Sequence, residues 1–466
     1  MRVPARPLEE DTIVAISTPY GVGGIGIVRL SGPDAEKTAD RIFQPKTPPE
    51  RLPSHRFIYG HVYDPRDHSV VDEALMVVMR APNTYTREDV AEIHCHGGAV
   101  PVRRVLDLVV AQGVRLAEPG EFTRRAFMNG RIDLVQAEAV ADIVEAKCET
   151  ALRFAQRQLG GDLSNEIRGV QGGLKGLLME VEAWLDFPEE DLPDPDFVRM
   201  LGRVEETMGA VRELAETYAN AHLYRDGVSL VIGGRPNVGK STLLNVLVGK
   251  ERAIVSPTPG TTRDYLEESI VLSGVPVRMI DTAGLRENAE EIEAQGVALA
   301  RRQMDTADLL LYVVDATRLE SLPQDRAPDF LPPGRTLVVI NKMDLVPEAA
   351  LEEGMRSFPS LPRVAVSALY RTGIEDLQEE ILKQLTGEKL DLDSRAVITN
   401  MRHRNALERC FEALERATGQ LSARPLLGDL LAADLRHALR ALGEILGETT
   451  PEEILQGIFD AFCIGK

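Results

Sequence analysis

Residues 233–242, GGRPNVGKST, decide the fold of this chain. An apolar run, Val228-Ser229-Leu230-Val231-Ile232, leads into them, and a helix-like LLNVLVG leads out. The order is a buried strand, a glycine-rich turn and a helix start. Gly234, Gly239, Lys240 and Ser241 fill the spacing GxxxxGK[ST] without a gap. Glycine at 234 and 239 lets the backbone curl so that successive N–H groups face phosphate oxygens. The helix N-terminus adds partial positive charge at the same place. Lys240 supplies a point charge for the outer phosphates, and the Ser241 hydroxyl is a ligand for Mg²⁺. Asn237, Val238, Gly239, Lys240, Ser241 and Thr242 are therefore expected to line a bound nucleotide.

Three constellations follow in order. Asp281-Thr282-Ala283-Gly284 ends the strand-like VPVRMI, where an acid reaches Mg²⁺ through water and a glycine N–H meets the γ-phosphate. Asn341-Lys342-Met343-Asp344 ends TLVVI, and Ser367-Ala368-Leu369 ends RVAV. Asp344 suits guanine, whose ring N–H and exocyclic amine form a donor pair that adenine lacks; the Ser367 segment would brace the base. NKxD alone is a weak match, but third in order on this pattern it selects GTP over ATP. Between the phosphate loop and DTAG lies PTPGTTRD, where Thr261 or Thr262 would close over Mg²⁺ and the γ-phosphate and release after hydrolysis. A Thr-Thr pair in a loop is also ordinary turn chemistry.

Many small GTPases carry a water-orienting glutamine after DxxG; this chain has Leu285. Leucine cannot orient water, so another device is required. The Asn237 carbonyl oxygen suits a monovalent cation acting as an arginine finger does. For the water, Glu293 and Arg286 lie just downstream, although spacing alone does not separate Glu293 from its acidic neighbours.

Around this core, residues 228–384 alternate apolar strands (SLVIGG, VPVRMIDTAG, DLLLYVVDAT, TLVVINKMD, RVAVSAL) with helices, predicting a mainly parallel sheet covered on both faces. Residues 1–130 read as α+β, with Val- and Ile-rich runs punctuated by Gly and Pro. Residues 131–227 and 385–466 carry helical spacing, so the nucleotide domain reads as an insertion into one helical domain. A length of 466 residues exceeds one core, as two to four domains require. The net charge of −20 opposes broad nonspecific nucleic-acid binding, which needs a basic footprint. Four cysteines without CxxC spacing fit a reducing compartment without structural zinc. No apolar run reaches membrane-spanning length, so a cytoplasmic protein without a membrane span is expected.

His94, Cys95 and His96 resemble a metal triad, but on a strand the histidines share one face and Cys95 the other. Cys463 admits three readings: a reacting thiol whose thiolate the nearby Lys466 favours, a packed small hydrophobe, or a lipidation box, which Gly465 and Lys466 suit poorly.

Taken together, GRPNVGKST, PGTTRD, DTAGLRE, NKMD, the early STPYGVGGIGIVRLSG, EIHCHGG, PGEFTRRAFMNGRIDLVQAEAVADI and the final FCIGK resemble the MnmE (TrmE) family of tRNA-modification GTPases nearly end to end. The resemblance implies an N-terminal folate-binding domain that joins a homodimer, a central helical domain and an inserted Ras-like, potassium-dependent GTPase domain. It implies work with the FAD-containing partner MnmG to build a carboxymethylaminomethyl or aminomethyl group on the wobble uridine of certain tRNAs. By the same resemblance, K⁺ falls to Asn237, Ser256, Thr258 and Thr261, and Mg²⁺ to Ser241 and Thr262. The water-positioning glutamate is Glu293 and the essential cysteine Cys463. A 5-formyl- or methylene-tetrahydrofolate donor meets Arg29, Glu92, Arg131 and Lys466. Where relatives often carry Lys, this chain has Arg131, a fork rather than a point charge. Pro257 and Pro259 stiffen the potassium loop. The rival function is an RNA- or ribosome-binding GTPase switch in ribosome assembly, which the acidic composition and helical flanks disfavour.

Overall fold

A computed structural model describes residues 11–186, 196–250, 267–272, 274–281, 307–321, 334–356, 358–359, 361–386, 396–423 and 427–466. The chain folds as two compact units, Met1–Ala141 with Arg440–Lys466, and Asp142–Leu439.

The first unit is built on β1 (Ile13–Ile16), β2 (Ile25–Ser31), β3 (Phe43–Pro45), β4 (Phe57–Tyr63), β5 (Val70–Met79), β6 (Val90–His96) and β7 (Arg115–Leu116). They form one sheet in the order β3-β4-β5-β6-β2-β1-β7, antiparallel throughout except for the β1–β7 pair. Side chains alternate faces along a strand. Val28, Leu30, Met76, Val78, Ile93 and Cys95 accordingly turn to one side, where Ala39 and Ile42 of α1 (Ala35–Ile42) and Val105 and Val109 of α2 (Ala99–Val110) cover them. The register sets Arg29 directly opposite Glu92. A further helix, α3 (Glu121–Met128), sends Phe122 against Ile13, Ala15 and Tyr85. The chain's last segment packs here too: Leu455, Phe459 and Phe462 meet Ala126, Ile132 and Leu134.

Among the described residues, Arg125 is the largest fully buried side chain, at 1% exposure. Its guanidinium reaches Asp11 (2.7 Å), Glu121 (3.0 Å) and Glu88 (3.2 Å), and Arg115 holds Glu121 from the other side (2.8 Å). A buried cation persists only when paired in this way. Burial raises the Asp11 and Glu121 carboxyls, but the arginines outweigh it and hold both below the ordinary range.

In the second unit, α4 (Leu134–Glu145) is followed by α5 (Glu149–Gly160), α6 (Asp162–Asp186), α7 (Phe197–Glu216) and α8 (Tyr218–Asp226), with α4 shared at the boundary. The continuous helical spacing from Leu134 breaks at Cys148, whose Sγ accepts the Ala151 N–H (3.3 Å) and caps α5. Then come β8 (Val228–Gly234), α9 (Lys240–Lys250), β9 (Glu267–Leu272), β10 (Val275–Asp281), β11 (Leu309–Asp315), β12 (Thr336–Asn341), α10 (Glu348–Met355), β13 (Arg363–Ala365) and α11 (Ile374–Thr386). The sheet order is β13-β12-β11-β8-β10-β9. All pairs are parallel except β9–β10, whose connection between Leu272 and Val275 is too short for a crossover. Every residue of β11 and β12 is buried, as a sheet covered on both faces requires. Leu243, Leu247, Leu377 and Ile381 of α9 and α11 close one face. Phe358, Leu351 and Met355 close the other. Past this sheet, α12 (Met401–Ser422) packs along α7, bringing together helices from either side of the nucleotide-type sheet. Two more helices, α13 (Gly428–Leu446) and α14 (Glu452–Asp460), complete the described chain. Among the described residues, no helix is long and apolar enough to cross a membrane.

Candidate functional site: a phosphate loop joined to the NKMD segment

Because β8, β10, β11 and β12 run parallel, their C-terminal ends share one edge of the sheet. Gly234 ends β8, Asp281 ends β10, Asp315 ends β11 and Asn341 ends β12. This edge is where open α/β sheets bind ligands. The loop after β8 turns through Gly234 (φ 141°), Asn237 (φ 64°) and Gly239 (φ 97°) before α9 begins at Lys240. Side chains cannot replace the two glycines: a Cβ would stand 2.3 Å from the Val313 carbonyl at 234, and 2.3 Å from Asn341 Nδ2 at 239.

Two consecutive carbonyls of this loop are held by two consecutive residues of the NKMD segment. Asn341 Nδ2 donates to the Val238 carbonyl (2.9 Å), while the Ala368 N–H donates to Asn341 Oδ1 (3.0 Å). Lys342 Nζ donates to the Asn237 carbonyl (2.9 Å) and to Asp315 Oδ2 (2.6 Å). Thus Asn341, 3% exposed, links the phosphate loop, its own strand and the Ser367-Ala368 loop at once. Ser367 Oγ accepts the Tyr370 N–H (3.3 Å) and shapes that loop, leaving Leu369 and Tyr370 exposed beside it. Asp344 is the middle residue of a 3₁₀ turn, Met343–Leu345, entered through Lys342 at φ 66°. Lys240 Nζ reaches back to the Gly234 (3.1 Å) and Arg235 (3.0 Å) carbonyls, and Ser241 and Thr242 are exposed in the first turn of α9. A lysine and a hydroxyl at an N-terminal turn, over a loop that admits no Cβ, fit a polyphosphate with its divalent cation.

Asp281 pairs with Ile232 in the sheet. Ser256, Thr258, Thr261, Thr262, Thr282, Ala283, Gly284 and Glu293 lie outside the described residues. One participant escaped the sequence reading. Asp315, 8% exposed, accepts Thr317 N–H (3.0 Å) and Oγ1–H (2.7 Å) besides Lys342. Burial raises its pKa, yet Lys342 and Thr317 outweigh that and hold it below the ordinary value. The signal was an acid ending an apolar strand at the same edge as the other motifs.

The first unit gathers a second group. Arg29 Nε donates to Glu92 Oε1 (2.7 Å), and Glu92 Oε2 meets His94 Nε2 (3.0 Å). Burial pushes Glu92 up, but His94 and Arg29 hold it below the usual range. The half-buried Tyr85 stands between two guanidiniums, Arg131 at 4.8 Å and Arg29 at 5.8 Å from its ring centre. Arg29 also points at the Gly465 carbonyl (3.5 Å). Lys466, next in the chain, donates its N–H to the Cys463 carbonyl (3.2 Å), and Cys463 is exposed. Arg29 and Arg131 thus flank Tyr85, a residue no sequence pattern marked, and Arg29 also carries Glu92 and the Gly465 carbonyl. His94, Cys95 and His96 behave as strand geometry requires, with Cys95 buried and His96 bound to Asp72 (2.7 Å). No metal-ligating cluster occurs among the described residues.

A mainly parallel sheet with its phosphate loop joined to an Asn-Lys-x-Asp segment defines the P-loop GTPase class, and the comparisons with known proteins carry the assignment further. A family model described as the MnmE helical domain matches residues 134–463, and one described as the GTP-binding protein TrmE N-terminus matches residues 12–131. The tRNA modification GTPase MnmE of Chloroflexus aurantiacus is 48% identical over 98% of this chain and 100% of its own length. Those of Geobacter metallireducens and Geotalea uraniireducens are 46% and 45% identical, each over 98% of this chain and 99% of their own. The chain belongs to the MnmE family.

Proposed function

We propose that this GTP-hydrolysing member of the tRNA-modification GTPases is potassium-dependent. Its hydrolysis would serve the building of carboxymethylaminomethyl or aminomethyl groups on wobble uridine, with an FAD-containing MnmG partner and a tetrahydrofolate one-carbon donor. The observation that carries the GTPase part is the double tie of Asn341 and Lys342 to the Val238 and Asn237 carbonyls.

In this reading the chain's own groups divide the work. Backbone N–H groups of the Gly234–Gly239 loop and the start of α9 surround the β-phosphate, and Lys240 turns from its loop carbonyls to the outer phosphates. Asp344 takes the guanine donors, with Ser367, Ala368 and Leu369 beneath the base. Mg²⁺, held by Ser241 and Thr262, and K⁺, held by Ser256, Thr258, Thr261 and the side-chain oxygen of Asn237, whose backbone carbonyl Lys342 occupies, would supply positive charge against the transferring phosphoryl. Glu293 orients the attacking water, since Leu285 cannot. Folate fits the first unit by chemistry. Glu92 is an acceptor for pterin N–H groups, and Arg131 and Lys466 are cations for the glutamate carboxylates. Cys463, exposed three residues before Lys466, would be the reacting thiol. The segments 1–130, 131–227 with 385–466, and 228–384 would be the folate-binding and dimer-joining domain, the helical domain and the GTPase domain.

Mass spectrometry of tRNA nucleosides from a deletion strain is expected to lack the wobble modification; an unchanged profile sinks the reading. Replacing K⁺ by Na⁺ is expected to slow GTP turnover by roughly ten-fold or more, in line with arginine-finger effects. Equal rates in both salts eliminate the cation.

A further inference from the structure

We propose that Asp315 is a positioning residue for nucleotide binding: it fixes Lys342 onto the Asn237 carbonyl, and so transmits the placement of the base-reading segment to the phosphate loop. The inference rests on the guanine-nucleotide reading of this site. Its basis is a continuous line of donors and acceptors. Thr317 N–H (3.0 Å) and Oγ1–H (2.7 Å) occupy Asp315 Oδ1, Oδ2 takes the Lys342 ammonium (2.6 Å), and the ammonium donates onward to Asn237 (2.9 Å).

The register explains why this acid does it. Asp315 stands opposite Asn341 in the β11–β12 ladder, so its carboxylate lies one residue from Lys342 at the same edge of the sheet. The contact matters because both ends of the lysine bridge are held in the left-handed region without being glycine, Asn237 at φ 64° and Lys342 at φ 66°. Such residues persist only where surrounding bonds over-determine them. Val238 has its own clamp in Asn341. The Asn237 peptide has the Lys342 bridge, and the charge that keeps the ammonium from swinging to water is Asp315. Both Asp315 carboxylate oxygens are engaged by Thr317 and Lys342, and reading the base falls to Asp344 in the proposed function. Removal of Asp315 should therefore loosen the phosphate cradle without changing which base is preferred.

The test is calorimetry of the full-length chain with GDP and with inosine diphosphate, which lacks the exocyclic amine. The chains compared are wild type, Asp315→Asn and Thr317→Ala. We expect Asp315→Asn to weaken GDP about ten-fold, ~1.4 kcal/mol, with the GDP:IDP ratio and the stoichiometry unchanged. A purely structural role lowers the stoichiometry and leaves the dissociation constant of the remaining sites alone, and that result overturns the proposal. So does an unaltered constant, or a collapse of the GDP:IDP ratio, which assigns Asp315 to base reading. If Asp315→Asn does not fold, the exposed Thr317→Ala reads the same quantity. Weakening of two-fold or more supports the proposal, and no change refutes it. Wild-type chain that fails to bind GDP overturns the guanine reading itself, an outcome separate from these.

Discussion

Replacing Gly239 by alanine tests the joined loop with a single methyl group. At φ 97°, the new Cβ meets Asn341 Nδ2 at 2.3 Å. Asn341 cannot simply turn away, because its amide is committed at both ends, to Val238 and to Ala368, in a position 3% exposed. The left-handed backbone costs about 1–2 kcal/mol for a residue with a Cβ. Each displaced hydrogen bond costs about 1 kcal/mol more. Without a nucleotide the loop can relax outward and relieve the clash; with one, the cradle must close, so most of the cost falls on binding. A total of roughly 3–4 kcal/mol weakens GDP by on the order of 10²–10³-fold. Gly249→Ala supplies the matched control, since a Cβ there, within α9, has no neighbour inside 4 Å. It should bind GDP as wild type does and stabilise the helix by about 0.5–1 kcal/mol. Calorimetry with GDP and thermal melts of both variants decide the matter. A Gly239→Ala constant within three-fold of wild type refutes the claim that Asn341 and the loop are locked together.

Two further outcomes follow from burial and charge. With a thiol-reactive disulfide at neutral pH, one fast equivalent is expected, Cys463, and Cys463→Ala should abolish it. Cys95, Cys148 and Cys410 are buried, and burial pushes the Cys95 and Cys410 thiols up to about 11 and about 12, so two fast equivalents contradict the fold. Arg125→Met should destabilise the first unit by about 3–5 kcal/mol, leaving Asp11 and Glu88 facing an apolar side chain. Depressed carboxyls contribute stability above their unfolded values, 3.8 for Asp11 and 4.5 for Glu121, and lose it as pH falls through the lower folded values. The gap between wild type and variant should therefore narrow in acid urea titrations; a gap independent of pH contradicts the network.

The phosphate loop was legible because its chemistry is contiguous: strand, glycines, lysine and hydroxyl lie within fifteen residues, 228–242. The buried strands of the same sheet were legible from their unbroken apolar runs. What escaped depends on register and on distant packing. Asp315 gains its role only when the parallel ladder brings it opposite Asn341. The Arg29–Glu92 pair follows from an antiparallel register across residues 63 apart in sequence. Tyr85 lies outside any strand or helix, where neither period nor spacing singles it out. Short elements such as β3, β7 and α1 offer too few residues for a period to emerge. The association of Arg440–Lys466 with the first unit is a contact between residues more than 300 apart, invisible to any local pattern.

The most direct measurement is calorimetry of the purified chain with GDP against ADP in the same Mg²⁺ buffer. A site that hydrogen-bonds the guanine edge through the segment fastened to its phosphate loop should reject ADP by on the order of 10⁴-fold. ADP binding within ten-fold of GDP would contradict the account at its root.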